Sequence, residues 1–99
     1  MATSTITRNA VIEFIRSVIS GGLTIELATG GVYVLVGASS DASLNFMGII
    51  NVTSGGAVLY TPTYTPPSTS ISVTTSTNSI TITNSSAVGC KISLIHLAN

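Results

Sequence analysis

The residues of this chain that could do chemistry are few and scattered. There is one histidine, His96, one cysteine, Cys90, and three carboxylates, Glu13, Glu26 and Asp41. A nucleophile and its base must lie within hydrogen-bond reach. Cys90 and His96 are six residues apart, so on one regular strand they face the same way but about 20 Å apart, at ~3.3 Å per residue. Serine is abundant, yet no serine sits in a nucleophile elbow. Asp41, Ser43 and Asn45 place oxygens at alternate positions, as a calcium loop does, but without the glycine and terminal glutamate that complete one. A turn or capping role is expected for them. Cys90 has no partner for an intrachain disulfide and is expected as a small hydrophobe in a strand. His96 is expected near the C-terminus of a strand, half exposed or at a subunit contact. These residues predict no cofactor, no metal and no enzymatic activity.

A binding surface is better represented. The segment Tyr60-Thr-Pro-Thr-Tyr-Thr-Pro-Pro67 sets two tyrosines among prolines. Tyrosine offers a flat apolar face with a hydroxyl tip, and proline holds a loop stiff at low entropic cost. Tyr60 and Tyr64, with Tyr33, are the candidates for contact with a glycan or a partner. The competing role for Tyr60 and Tyr64 is to cover the end of a sheet or to pack against a neighbouring subunit.

The elements that would position these residues are mostly strands. In the last third, Ile71 and Val73 alternate with Ser and Thr, as do Ile80 and Ile82, the period-two signature of a half-buried strand. Ser76-Thr77-Asn78-Ser79 is the hairpin tip between them. The register that shares one apolar face sets Thr75 opposite Ile80 and Val73 opposite Ile82. A third strand holds Ile92 and Leu94, and its parity slips at Ile95 and Leu97, which predicts a bulge or a strand covered on both sides. Upstream, Leu23 to Leu27 and Val32 to Val36 flank the turn Thr29-Gly30-Gly31 and read as a hairpin. Phe46 to Val52 is a strand with a bulge near Gly48. Ala57 to Tyr60 follows, and the three prolines beyond it confine 61–67 to a loop or an edge. The N-terminus differs. Over 9–19 the apolar residues from Val11 onward fill one arc of a helical wheel, with Glu13, Arg16 and Ser17 opposite. This predicts an amphipathic helix over 9–19, stopped by Gly21-Gly22. Its face, with Phe14, Ile15 and Val18, is the candidate oligomer contact.

The fold class that follows is mainly β. It is a single domain over 1–99, with a jelly-roll-like antiparallel β-sandwich of about seven short strands over 23–97 and one N-terminal helix. Composition adds a constraint on partners. The chain is 44% hydrophobic and only 6% charged, with zero net charge, where soluble domains carry roughly 25% charged residues. About 30 of the 99 residues are Ser or Thr, which replace charges on the polar faces. Such a surface favours association, so a homo-oligomer is expected. Three basic residues, Arg8, Arg16 and Lys91, make no patch for phosphates, so nucleic acid is not an expected partner. Mean hydropathy is +0.63, yet no apolar run approaches ~18 residues, so membrane insertion through a helix is not expected. The N-terminal order is not that of a signal peptide.

The string Ile71-Ser-Val-Thr-Thr-Ser-Thr-Asn-Ser-Ile-Thr-Ile-Thr-Asn-Ser-Ser, followed by Cys90-Lys-Ile-Ser-Leu-Ile, resembles the C-terminal β domains of bacteriophage tail-fibre and other virion-associated proteins. The resemblance covers about the last thirty residues and carries over no functional residue. It implies a non-catalytic structural protein of a phage virion, of fibre, head-fibre or decoration type. It further implies a homotrimer that contacts other virion proteins and a host-surface glycan. The alternative is a bacterial surface or secreted carbohydrate-binding module, located extracellularly or at the cell surface.

Overall fold

Alternating β-branched residues build nearly all of this molecule, because their stiff side chains suit a pleated, half-buried surface. The computed structural model describes residues 13–18 (backbone only), 21–65 and 70–98. Among them are eight strands: β1 (Glu13–Val18), β2 (Gly21–Glu26), β3 (Val32–Ser39), β4 (Phe46–Val52), β5 (Val58–Tyr64), β6 (Ile71–Ser76), β7 (Ser79–Asn84) and β8 (Cys90–Ala98). They form a five-stranded sheet in the order β1-β8-β3-β4-β5 and a three-stranded sheet in the order β2-β7-β6. Every pairing is antiparallel.

The two sheets share one apolar core. From the large sheet come Leu35, Ile50, Ile92 and Cys90, and from the small sheet Ile80 and Ile82, all without solvent exposure. Leu23, Ile25, Ile71 and Val73 close its margin. The mainly-β, two-sheet expectation therefore holds. The connections are not those of a jelly roll: β3, β4 and β5 run as a meander, and β6-β7 is a hairpin.

The hairpin register is the one the apolar pattern requires, with Thr75 opposite Ile80 and Val73 opposite Ile82. Asn78 takes φ 52° at its tip, a conformation that Asn tolerates better than most residues. By contrast, β2 and β3 do not form the expected hairpin. β2 pairs with β7, and β3 with β4 and β8, so the chain crosses between sheets at the Thr29-Gly30-Gly31 turn. Turn residues show that the chain reverses, and not which sheet it enters.

The expected N-terminal helix is also corrected. Residues 13–18 form strand β1, with Phe14, Ile15 and Val18 opposite Leu94, Ser93 and Cys90 of β8. A short helix rich in β-branched residues is marginal by itself. Pairing with the free edge of β8 instead gives the backbone groups on one side of the segment a ladder to join. The remainder of the expected helix, 9–12 and 19, lies outside the described residues.

Two bulges modulate the large sheet. The first shifts β8 against β3, so that Val32 pairs with Ala98 but Tyr33 with His96, leaving Leu97 as the extra residue. Alternation in β8 runs unbroken from Cys90 to His96, so the break comes later than the sequence pattern implies. The second shifts β5 against β4: Gly48 pairs with Pro62 and Met47 with Tyr64, leaving Thr63 as the extra residue. The register thus shifts beside Gly48 as expected, but the bulged residue is in β5 and not Gly48 itself.

Phenylalanine and glycine are matched across β3 and β4. A Cβ on Gly37 would fall on the ring of Phe46, its direct cross-strand partner. The ring therefore covers the glycine and fills the space a side chain would take. Gly37→Ala is expected to lower stability by about 1–3 kcal/mol, as overpacking in a close-packed core does. Urea unfolding of the two proteins checks this, and an unchanged midpoint would mean that the Phe46 ring swings aside freely.

Candidate functional site

The three tyrosines singled out by the sequence do not form one site. Tyr33 is only 5% exposed. Its ring stacks on His96 at 4.3 Å between centroids and 16° between planes, and its hydroxyl accepts a hydrogen bond from the Ala28 N–H at 2.8 Å. It is a core residue, so its assignment as a surface contact is corrected. Tyr60 is half-buried opposite Ile50, with its ring over Gly48. Burial pushes its phenol pKa up, so the hydroxyl stays protonated at neutral pH. Tyr64 is 54% exposed. The bulge at Thr63 sets it opposite Met47, on the outer face of the sheet, whereas Tyr60 sits opposite a core residue. Period-two counting puts residues 60 and 64 on the same side, and one extra residue separates them.

His96 and Cys90 are likewise structural neighbours of the core. His96 is 7% exposed, not half exposed as expected, and its Nε2 has no hydrogen-bond partner among the described residues. Cys90 is fully buried, and its thiol points to the Leu44 carbonyl at 3.8 Å. Burial pushes that thiol up in pKa. The two lie six residues apart on the inward face of β8.

Asp41 organises the β3–β4 loop. Its Oδ1 accepts from the Ser43 N–H at 3.0 Å, the Ser43 hydroxyl at 2.8 Å and the Ser39 hydroxyl at 3.1 Å. The Asn45 side chain accepts from the Ser39 N–H at 3.0 Å. The oxygens that resemble a calcium loop in sequence are thus turned onto their own loop, as Asx turns are. These bonds, the Ser43 N–H first, hold the Asp41 carboxyl below its ordinary pKa.

The surface shows two contrasting faces. On the small sheet, Thr24, Thr81 and Thr74 form one cross-strand row, with Thr83 and Ser72 in the next. The Thr24 and Thr81 hydroxyls are 2.9 Å apart. This is a hydroxyl-lined face. On the large sheet, the outward positions are mostly apolar, with Asn51, Thr61, Ser93 and Lys91 toward the margins. Among the described residues, Met47, Ile49, Leu59, Tyr64 and Leu97 are the exposed large hydrophobic residues, and the register places all five on this side. Val34, between Ile49 and Ile95, is half-buried in its middle. Phe14, Ile15 and Val18, the expected oligomer contacts, are in β1 at the edge of the same sheet, and their side chains lie outside the described residues.

No family model and no curated protein matches this chain. Among solved structures, its fold is similar to part of the tailspike protein gp49 of the Acinetobacter baumannii bacteriophage Fri1, a capsular polysaccharide depolymerase. The TM-score is 0.59 at 12% identity, over 98% of this chain and 19% of that one. The likeness is one of fold, and it agrees at that level with the phage tail resemblance of the C-terminal strands. It overturns the expectation that enzymatic activity is absent, because the same fold forms part of an enzyme.

Two measurements test the local chemistry described above. A carboxylate with a lowered pKa in the fold stabilises it above the unfolded value of about 3.9 and loses that contribution as pH falls through the folded value. The melting-temperature advantage of wild type over Asp41→Asn should therefore be present at neutral pH and shrink in acid. An advantage independent of pH would mean the Asp41 charge is not involved. Cys90 should resist a thiol reagent in the folded protein and react on unfolding; immediate labelling of the native protein would show that β8 opens readily.

Proposed function

We propose that this chain is a β-sandwich module of a phage tailspike or tail-fibre type assembly, carried on the virion and acting at the host surface. The observation that carries this reading is the fold likeness over nearly the whole chain to a segment of a phage tailspike. In this reading the module works as a homo-oligomer alongside other virion proteins. Its ligand is a host-surface polysaccharide of capsular type, the substrate class of the similar tailspike.

The surface chemistry fits that ligand class. Sugars present hydroxyls in dense arrays, and the Thr and Ser rows of the small sheet offer matching donors and acceptors on a rigid backbone. Tyr64 lies on the outer face of the other sheet, on the far side of the sandwich, and is not part of this hydroxyl surface. The low charge of the surface leaves few ions whose hydration must be disrupted on contact.

Immobilised capsular polysaccharides from a panel of bacteria test the reading. The folded protein should bind at least one of them, and Thr24→Ala combined with Thr81→Ala should weaken that binding roughly fivefold to tenfold, the equivalent of about 1 kcal/mol. Release of reducing ends should be followed in the same samples. A folded protein that neither binds nor cleaves any polysaccharide of the panel would remove the host-surface part of the reading.

A further inference from the structure

Exposed hydrophobic side chains on a monomer are ordinarily scattered, whereas a contiguous patch marks an interaction site. Here Met47, Ile49, Leu59, Tyr64 and Leu97 all belong to one side of one sheet, around the half-buried Val34 and Ile95. Three observations bear on what covers that side.

The first is charge. Across the sheet the outward register positions carry two charged residues, Lys91 at one end of β8 and Glu13 in the edge strand β1, opposite Ile95. A charged partner would find little to pair with. The second is the edge. β5 is one of the two edges of the sheet, β1 being the other, and carries both Pro62 and the bulge at Thr63. Both features obstruct addition of another strand at this edge, where the exposed apolar residues lie, so contact on this side of the sheet is made with its face. The third is self-complementarity. The outer face of the other sheet is lined with hydroxyls and carries Glu26, so each copy has a single extended apolar side. The like side of a second copy is the surface that matches it in shape and polarity. Zero net charge adds no repulsion between copies.

We infer that the outer face of the five-stranded sheet is the contact between copies of this chain, centred on Val34 and Ile49. This rests on the assembly part of the function proposed above and identifies the surface that performs it. The size is adequate. Strands about 4.8 Å apart with about 3.3 Å per residue give a face on the order of 400 Å² in projection, and more in accessible area. Two such faces together reach about 1,000 Å², where specific interfaces begin.

Light scattering after size exclusion, at high micromolar concentration, tests the inference. Wild type should run at a multiple of the 10.0 kDa chain mass. Met47→Glu combined with Ile49→Glu should run as the monomer, while Thr81→Glu on the hydroxyl face leaves the multiple intact. Because the double variant could unfold, circular dichroism accompanies it, and a second reading uses wild type alone. Met47 should be oxidised slowly by dilute peroxide in the concentrated oligomer and several-fold faster after dilution to monomer. A monomeric wild type overturns the inference, even with Met47 protected, since another segment of the same chain would then cover the face. An oligomer that survives the folded double variant, or that leaves Met47 freely oxidised, also overturns it and moves the contact elsewhere. Polysaccharide binding is scored separately, so an oligomer that binds no polysaccharide counts against the host-surface reading and leaves this interface standing.

Discussion

Asn78 ties three turns of the molecule into one end. Its N–H donates to the Gly56 carbonyl at 2.9 Å, and its carbonyl accepts from the Leu27 N–H at 2.9 Å. Its side-chain amide donates to the Leu27 carbonyl at 3.3 Å and to the Thr29 hydroxyl at 3.0 Å. The hairpin tip of the small sheet is thereby fastened to the β2–β3 crossing and to the β4–β5 turn of the large sheet. Gly56 itself takes φ +88°, which presents its carbonyl and leaves room for the asparagine. Sheets packed only through apolar side chains can slide. A hydrogen-bonded clasp with fixed geometry sets their relative position, and with it which residues of β7 meet which residues of β3 and β4.

At the opposite end the fastening is also an asparagine. Asn84, only 1% exposed, donates to the Val88 carbonyl at 2.9 Å and accepts from the Ser86 N–H at 2.9 Å, so that the β7–β8 loop is folded around one side chain. The core between the two ends is mostly aliphatic and carries little directional information. Polar satisfaction at the ends supplies it.

The sequence was informative where structure is local. Four β-branched residues around a two-residue tip fixed the β6–β7 register to the residue, and the Gly48 region was legible as a bulge. The sequence was uninformative where strands meet at long range. Nothing in Leu23 to Leu27 says that its partner is Ile80 and Ile82 instead of the adjacent Val32 to Val36, because an alternating apolar row can pair with either segment. Residues 13–18 show a helical arc, yet the backbone joins β8, whose free edge is invisible in the local pattern. For the candidate surface, Tyr64 is legible as a contact residue, but its companions Met47, Ile49, Leu59 and Leu97 look in sequence like ordinary strand residues. The available signal was that Met47 and Ile49 alternate with Phe46, Gly48 and Ile50 in a segment apolar on both faces.

The bulge at Thr63 has a meaning for how such a surface could vary between related chains. In a regular strand, changing what a face displays requires replacing residues one at a time. Here the side on which the end of β5 presents its residues depends on a residue count. Loss of Thr63 would return Tyr64 to the side of Tyr60, and gain of another residue would exchange the sides again. A single codon inserted or deleted at this edge would therefore swap the chemistry of the rim without touching the aliphatic core. This gives a small, slow-changing scaffold a rapid route to a different contact surface.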